Sequence, residues 1–173
     1  MTTLATIGYE GSSLEDFIAT LLAAKITTLV DVREVPVSRR KGFSKNALRE
    51  ILEDAGLTYV HLIGLGDPKE GRDAAREGRS DDFLKIFTAH MRTPVAQADL
   101  KEAAEITLAG GACLMCYERD YNDCHRKLVA DALSDILCAT IRHLGVPKGI
   151  GKNDHASKSR TSSHARQSVA ACG

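Results

Sequence analysis

Ile26-Thr27-Thr28-Leu29-Val30-Asp31-Val32-Arg33 decides the fold. Its apolar run is nearly continuous, then stops on an acid and a base. Such a run suits a strand buried on both faces, as in a parallel sheet. On its N-terminal side, Leu4 to Tyr9 reads as a first strand. Ser12 with Glu15 makes a capping box, and Leu14, Phe17, Ile18, Leu21 and Leu22 give a helical stripe to about Ala24. On its C-terminal side, Ser44 is placed to cap a helix with Leu48, Ile51 and Leu52 inside, closed by Gly56. Thr58 to Leu62 is a third strand, followed by a glycine-containing loop from Gly64 to Arg79. Ser80 caps a helix through about Met91, and Thr93-Pro94 opens another that ends at Gly110-Gly111. Cys113 to Tyr117 is the fourth strand, Cys124 to about Leu137 a helix, and Ala139 to Leu144 the fifth strand.

This alternation implies an α/β protein: a single-domain, three-layer sandwich with a mostly parallel, about five-stranded, Rossmann-like sheet. The parse is one domain over residues 1–146 and a disordered basic tail over 147–173. The tail carries Lys148, Lys152, Lys158, Arg160 and Arg166 against Asp154 alone and shows no apolar period. With 173 residues, 43% apolar and 27% charged, the chain fits one soluble globular domain. No apolar run approaches membrane length and the opening residues lack a basic-then-apolar leader, so the expectation is a cytoplasmic protein. Five cysteines, an odd number, fit reduced thiols better than a disulfide framework.

Ligands of open parallel sheets bind beyond the carboxyl ends of the strands. Strand one delivers Gly8-Tyr9-Glu10-Gly11 there, strand two Asp31-Val32-Arg33, strand three His61 and the Gly64–Gly66 turn, and strand four Cys116-Tyr117-Glu118. The segment Pro36 to Ser44 holds Arg39, Arg40 and Lys41, offers Phe43 as a stacking face, and leads into a helix start that favours an anion. It suits a phosphate-bearing ligand, although the spacing of a Walker loop is absent. Cys113-x-x-Cys116 followed by Cys124-His125 invites a zinc reading, but strand residues three apart face opposite sides, so Cys113 and Cys116 do not share an ion easily. No residue is therefore assigned to a metal and no cofactor is named. Asn122 or Asp123 capping the following helix would leave Cys124 in its first turn, with a lowered pKa suited to nucleophilic or redox work. Cys116 is its partner thiol or the nucleophile itself, and the bland alternative pairs Arg126 with Glu118 or Asp31.

Taken in order, Thr6-Ile7-Gly8-Tyr9-Glu10, Asp31-Val32-Arg33, Pro36, Ser38-Arg39, Gly42-Phe43-Ser44, Leu65-Gly66, Cys116-x-Glu118 and Cys124-His125-Arg126 resemble the bacterial and archaeal family named domain of unknown function 488. The resemblance spans about Leu4 to His143 and implies a compact α/β domain; it implies no reaction. The motif positions it carries over are Tyr9, Glu10, Asp31, Arg33, Ser38, Arg39, Phe43, Ser44, Cys116, Glu118, Cys124, His125 and Arg126. A looser similarity to rhodanese-like domains rests on a strand ending in Asp-Val-Arg, without that family's cysteine loop.

The expected site follows. Cys124, Cys116, Glu118, Asp31 and Glu10 are the candidate catalytic groups. Tyr9, Arg33, Ser38, Arg39, Phe43, Ser44, His125 and Arg126 are the candidate ligand-binding groups. An enzyme that binds an anionic ligand (phosphate-bearing, a nucleotide or nucleic acid) at the carboxyl edge of the sheet, with thiol chemistry from Cys124 or Cys116, leads; a non-catalytic nucleic-acid-binding module and a regulatory domain binding metal through Cys116, Cys124 and His125 are the alternatives.

Overall fold

The structure, a computed structural model, describes residues 2–152. Five strands, β1 (Thr3–Gly8), β2 (Thr28–Asp31), β3 (Thr58–His61), β4 (Ala112–Cys116) and β5 (Thr140–Leu144), form one sheet in the order β3-β2-β4-β1-β5. Every pairing is parallel. The described helices are α1 (Leu14–Ala23), α2 (Lys45–Asp54), α3 (Lys69–Arg76), α4 (Ser80–His90), α5 (Pro94–Ala109) and α6 (Arg126–Leu137), with one 3₁₀ turn at Ile63–Leu65. None is long and apolar enough to cross a membrane.

Alternation along the strands builds two cores, one on each face. Ala5, Ile7, Leu29, Cys113 and Met115 pack with Phe17 and Leu21 of α1 and Leu48 and Leu52 of α2. Leu4, Val30, Leu114 and Cys116 pack with Phe87 of α4, Leu100 of α5 and Val129 and Leu133 of α6. Cys113 and Cys116 thus belong to opposite faces, as strand geometry requires. The three layers and the parallel sheet expected from the sequence are present.

Some local readings need correction. α1 is capped by Ser13, whose hydroxyl accepts from the Asp16 N–H at 3.1 Å; Ser12 instead donates to the Tyr9 carbonyl at 2.7 Å. Ser80 is the first residue of α4 rather than its cap. The stretch from Gly64 to Arg79, read as loop, contains α3, whose buried positions are only Gly71 and Ala74. With no large apolar side chain to repeat, α3 leaves no period in the sequence. The first residues of the expected tail are tied to the domain: the N–H groups of Gly149 and Gly151 each donate to Asp16 at 2.9 Å. Residues 153–173, the rest of that tail, lie outside the described residues.

The topology fixes where a site belongs. From β1 the chain moves through α1 toward β2 and β3; from β4 it moves through α6 the other way, to β5. β1 and β4 are neighbours with Gly8 opposite Cys116, so the switch point of the sheet lies beyond those two residues.

Candidate functional site

At that switch point the loop after β4 leans over the end of β1. Glu10 N–H donates to the Tyr117 carbonyl at 2.9 Å, and Tyr9 N–H reaches the Cys116 carbonyl at 3.4 Å. The approach is so close that a Cβ on Gly8 would stand 1.8 Å from the Glu118 carbonyl oxygen. Only glycine fits. The far side of the loop is held by Arg126, which is 1% exposed and donates to the carbonyls of Glu118 and Arg119. Glu10 accepts from the Arg119 N–H at 3.0 Å, and Tyr121 stacks on His143 with ring centroids 3.6 Å apart.

At the end of β2, Asp31 and Arg33 form a buried ion pair. Arg33 Nε donates to Asp31 Oδ1 at 2.8 Å and Nη2 to Oδ2 at 2.6 Å, a bidentate fork. Tyr59 OH also donates to Asp31 Oδ2, at 2.5 Å, and the Arg33 N–H to Oδ1. Arg33 Nη1 donates to Tyr9 OH at 2.9 Å and to the Phe43 carbonyl at 3.0 Å. Burial works against the Arg33 charge, but Asp31 more than offsets it and the guanidinium holds its proton more tightly than usual. Burial, then the Asp31 charge, raises the Tyr59 phenol.

This corrects several expectations. Asp31 has donors on both oxygens and no exposure, so it positions the loop and is not an acid or base open to a ligand. Phe43 is 1% exposed and stacked on Tyr9 at 4.4 Å, which removes its face from any ligand. Ser44 precedes α2 without capping it by its side chain; its hydroxyl accepts from the Ser38 N–H at 3.1 Å and donates to the Ser38 carbonyl at 3.2 Å. Arg126 pairs with backbone carbonyls rather than with Glu118 or Asp31, and its role is to clamp the loop. Glu10 is exposed and braces Arg119, outside the cavity lined by Arg33, Cys116 and His125. His61 is an ordinary satisfied histidine, bonded to Lys45 and to the Arg33 carbonyl.

What remains converges on one cavity of about 470 Å³. Tyr9, Arg33, Ser38, Arg39 and Arg40 line it together with Cys116, Tyr117, Glu118 and His125. A second cavity, of about 550 Å³, shares Asp67, Arg72, Arg76, Glu118 and His125 with the first and is lined by Cys124. In the wall between them the Cys116 thiol donates to Glu118 Oε2 at 3.1 Å and stands 3.9 Å from His125 Nδ1. His125 Nε2 lies 2.8 Å from the Val32 carbonyl, which only accepts, so this nitrogen carries the proton. Nδ1 is thereby the atom turned toward the thiols.

Cys124 is not the activated thiol the sequence promised. α6 begins at Arg126 and His125 precedes it, so Cys124 lies ahead of the helix. Asn122 does not cap α6: its backbone and side-chain amides both donate to Asp120. Burial, then the neighbouring Cys116, pushes the Cys124 thiol well above its ordinary value. Burial also raises Glu118, but hydrogen bonds from Cys124, its own backbone N–H and Cys116 outweigh it and hold this carboxylate below the usual range. Burial lowers His125, outweighed by its hydrogen bonds to Cys124 and the Val32 carbonyl, so the imidazole is raised.

Sequence reasoning missed Asp67. It is 6% exposed, lines both cavities and has an Oδ1 with no partner among the described residues. Gly71 makes room for it; a Cβ there would stand 2.1 Å from that oxygen. Burial pushes its carboxyl up to about 6, against the pull of His125 and Arg72. The signal was an acid directly after Leu65-Gly66, at the end of the turn that follows β3. Arg72 was also missed; it pairs with Glu34 and donates to the Asp67 carbonyl at 2.5 Å.

The profile of the family described as domain of unknown function DUF488 matches residues 13–133, well over half of the chain. The chain belongs to the DUF488 family. No curated protein and no solved structure matches it. The matched segment of this DUF488 protein covers every cavity-lining residue named above except Tyr9, including Asp67 and the Cys116–His125 loop.

Proposed function

We propose that this DUF488 protein is an enzyme that binds a small phosphate-bearing ligand in the switch-point cavity and acts on it by acid–base chemistry. The observation that carries the reading is Arg39 and Arg40 lining the same cavity as Glu118, Asp67 and His125. Arg33 and Arg72 are already paired with acids, whereas Arg39 is exposed and has no hydrogen-bond partner among the described residues. Arg40 donates to the Ser12 carbonyl and keeps a buried Nε without a partner. Such donors suit the fixed geometry of phosphate oxygens. Val35, Val37 and Tyr117 add exposed apolar surface to the lining, a match for the flat part of a nucleotide. The volume is in the range of small-molecule sites, about 300–1,000 Å³.

Two carboxyls in one site with oppositely shifted affinities for protons are the mark of an acid and a base. Glu118, held low, is the acceptor; Asp67, at about 6, is the group that carries a proton nearer neutrality. The odd number of cysteines fits a reducing compartment such as the cytoplasm.

The test is a calorimetric titration with inorganic phosphate, pyrophosphate and nucleoside diphosphates against wild type and Arg39→Ala. Saturable binding that weakens about tenfold or more in the variant, with its melting temperature unchanged, supports the reading. Equal binding by both proteins, or none at millimolar ligand, overturns it. A nucleic-acid module would instead bind oligonucleotides with an affinity that falls steeply with salt.

A further inference from the structure

We propose that Cys116, Cys124 and His125 are the protein ligands of a divalent metal ion of the zinc class, held in the wall between the two cavities with its fourth position open beside Glu118. The three ligand atoms lie within 4.8 Å of one another, and all three residues are more than nine-tenths buried. A tetrahedral zinc centre with bonds of about 2.0–2.3 Å sets its donor atoms roughly 3.5–3.8 Å apart. Cys116 Sγ and His125 Nδ1, at 3.9 Å, already have nearly that separation.

The imidazole is prepared for the task. A histidine that binds a metal through one nitrogen nearly always donates the other N–H to a carboxylate or a carbonyl, which fixes both tautomer and ring plane. His125 Nε2 does so to Val32, from a residue just past β2, and Nδ1 is left facing the sulfurs. Phe87 packs against the ring at 5.5 Å and further limits its rotation. Two thiols and an imidazole form a donor set that favours zinc over magnesium or calcium, which take oxygen ligands. Binding M²⁺ releases the two thiol protons to solvent and leaves two thiolates and a neutral imidazole around the ion, so charge and protons balance.

Three protein ligands with an open position are the pattern of reactive rather than purely structural zinc. The open side is not sealed: Cys116 lines one cavity, Cys124 the other, and Glu118 and His125 both. Glu118, with Oε2 3.1 Å from Cys116 Sγ, stands next to the vacant position, placed to accept a proton from a molecule bound there. This assignment does not depend on the phosphate-binding arginines, because none of them supplies a ligand atom.

The experiment is elemental analysis of the full chain purified without chelator, followed by exchange for cobalt and optical spectroscopy. One equivalent of zinc per chain, and a thiolate-to-cobalt charge-transfer band on exchange, is the expected result. Cys124→Ser should lower metal affinity by roughly a hundredfold or more, since even a group that only orients a ligand is worth about 10–100-fold. Cys138→Ser, a cysteine outside the cluster, should leave it unchanged. If Cys124→Ser does not fold, the wild-type protein still decides: absence of the charge-transfer band, or a Cys116–Cys124 disulfide in protein purified under reducing buffer, overturns the assignment. Phosphate titration of chelator-treated protein reports separately on the arginine site, so loss of one reading does not imply loss of the other.

Discussion

Gly8→Ala is the sharpest perturbation of the site's architecture. The new Cβ would sit 1.8 Å from the Glu118 carbonyl oxygen and 2.7 Å from its carbon, both backbone atoms that no rotamer change can move. Restoring an ordinary carbon–oxygen contact of about 3.3 Å requires the loop to withdraw by about 1.5 Å. Withdrawal breaks the bond from Glu10 N–H to the Tyr117 carbonyl and that from the Arg119 N–H to Glu10, each worth a net of about 0.5–1.5 kcal/mol. It also takes the Glu118 and Arg119 carbonyls away from the buried Arg126 guanidinium, where bonds to a charged group are worth about 1.5–3 kcal/mol. Loss of all four gives a destabilisation of about 4–9 kcal/mol. The assay is urea denaturation beside Gly145→Ala as control, since a Cβ at Gly145 meets nothing within 4 Å and should change stability by less than about 0.5 kcal/mol. A Gly8→Ala protein within about 1 kcal/mol of wild type would refute the claim that close backbone contact at the switch point builds the site.

Other outcomes follow from the buried charges. Asp67 has its carboxyl raised to about 6, so the folded state holds the proton more tightly than the unfolded chain. That contribution is full below about pH 4 and is lost as pH rises through about 6, a change of at most about 3 kcal/mol. Asp67→Asn should therefore exceed wild type in stability at about pH 7.5, with the gap closing toward pH 4; a gap independent of pH would contradict this. Asp31→Ala strands the Arg33 guanidinium in the core and should cost about 3–5 kcal/mol, read by thermal or chemical unfolding. Tyr59→Phe removes one hydrogen bond to the same carboxylate and should cost only about 1–2 kcal/mol; a larger loss than that of Asp31→Ala would invert the hierarchy.

The fold was largely legible because its signals are local. Leu29-Val30 and Leu114-Met115 are apolar on successive residues, which is what burial on both faces demands, and the glycines and proline between elements mark most of their ends. α3 was not legible, because a short helix that buries a glycine and an alanine imposes no pattern. In the site, Cys116, Glu118, His125, Ser38 and Arg39, which the sequence singled out, line one cavity. It could not tell ligand-facing groups from those that hold the loops. Asp31 and Arg33 read as chemistry because both are charged, yet they satisfy one another, and Phe43 reads as a platform yet is closed by Tyr9. Cys124 failed for a related reason: an assumed helix start made it electropositive, whereas burial beside a second thiol makes it the reverse. Asp67 was missed because its importance lies in lacking a partner, a property only three dimensions reveal.

The most direct measurement is residue-resolved NMR of the arginine, cysteine and histidine side chains during titration with pyrophosphate. The account predicts that Arg39, Arg40, Cys116 and His125 respond together with one dissociation constant, while Arg119, Arg126 and His143 stay still. Responses confined to Arg119, Arg126 and His143, or scattered without a common constant, would contradict it.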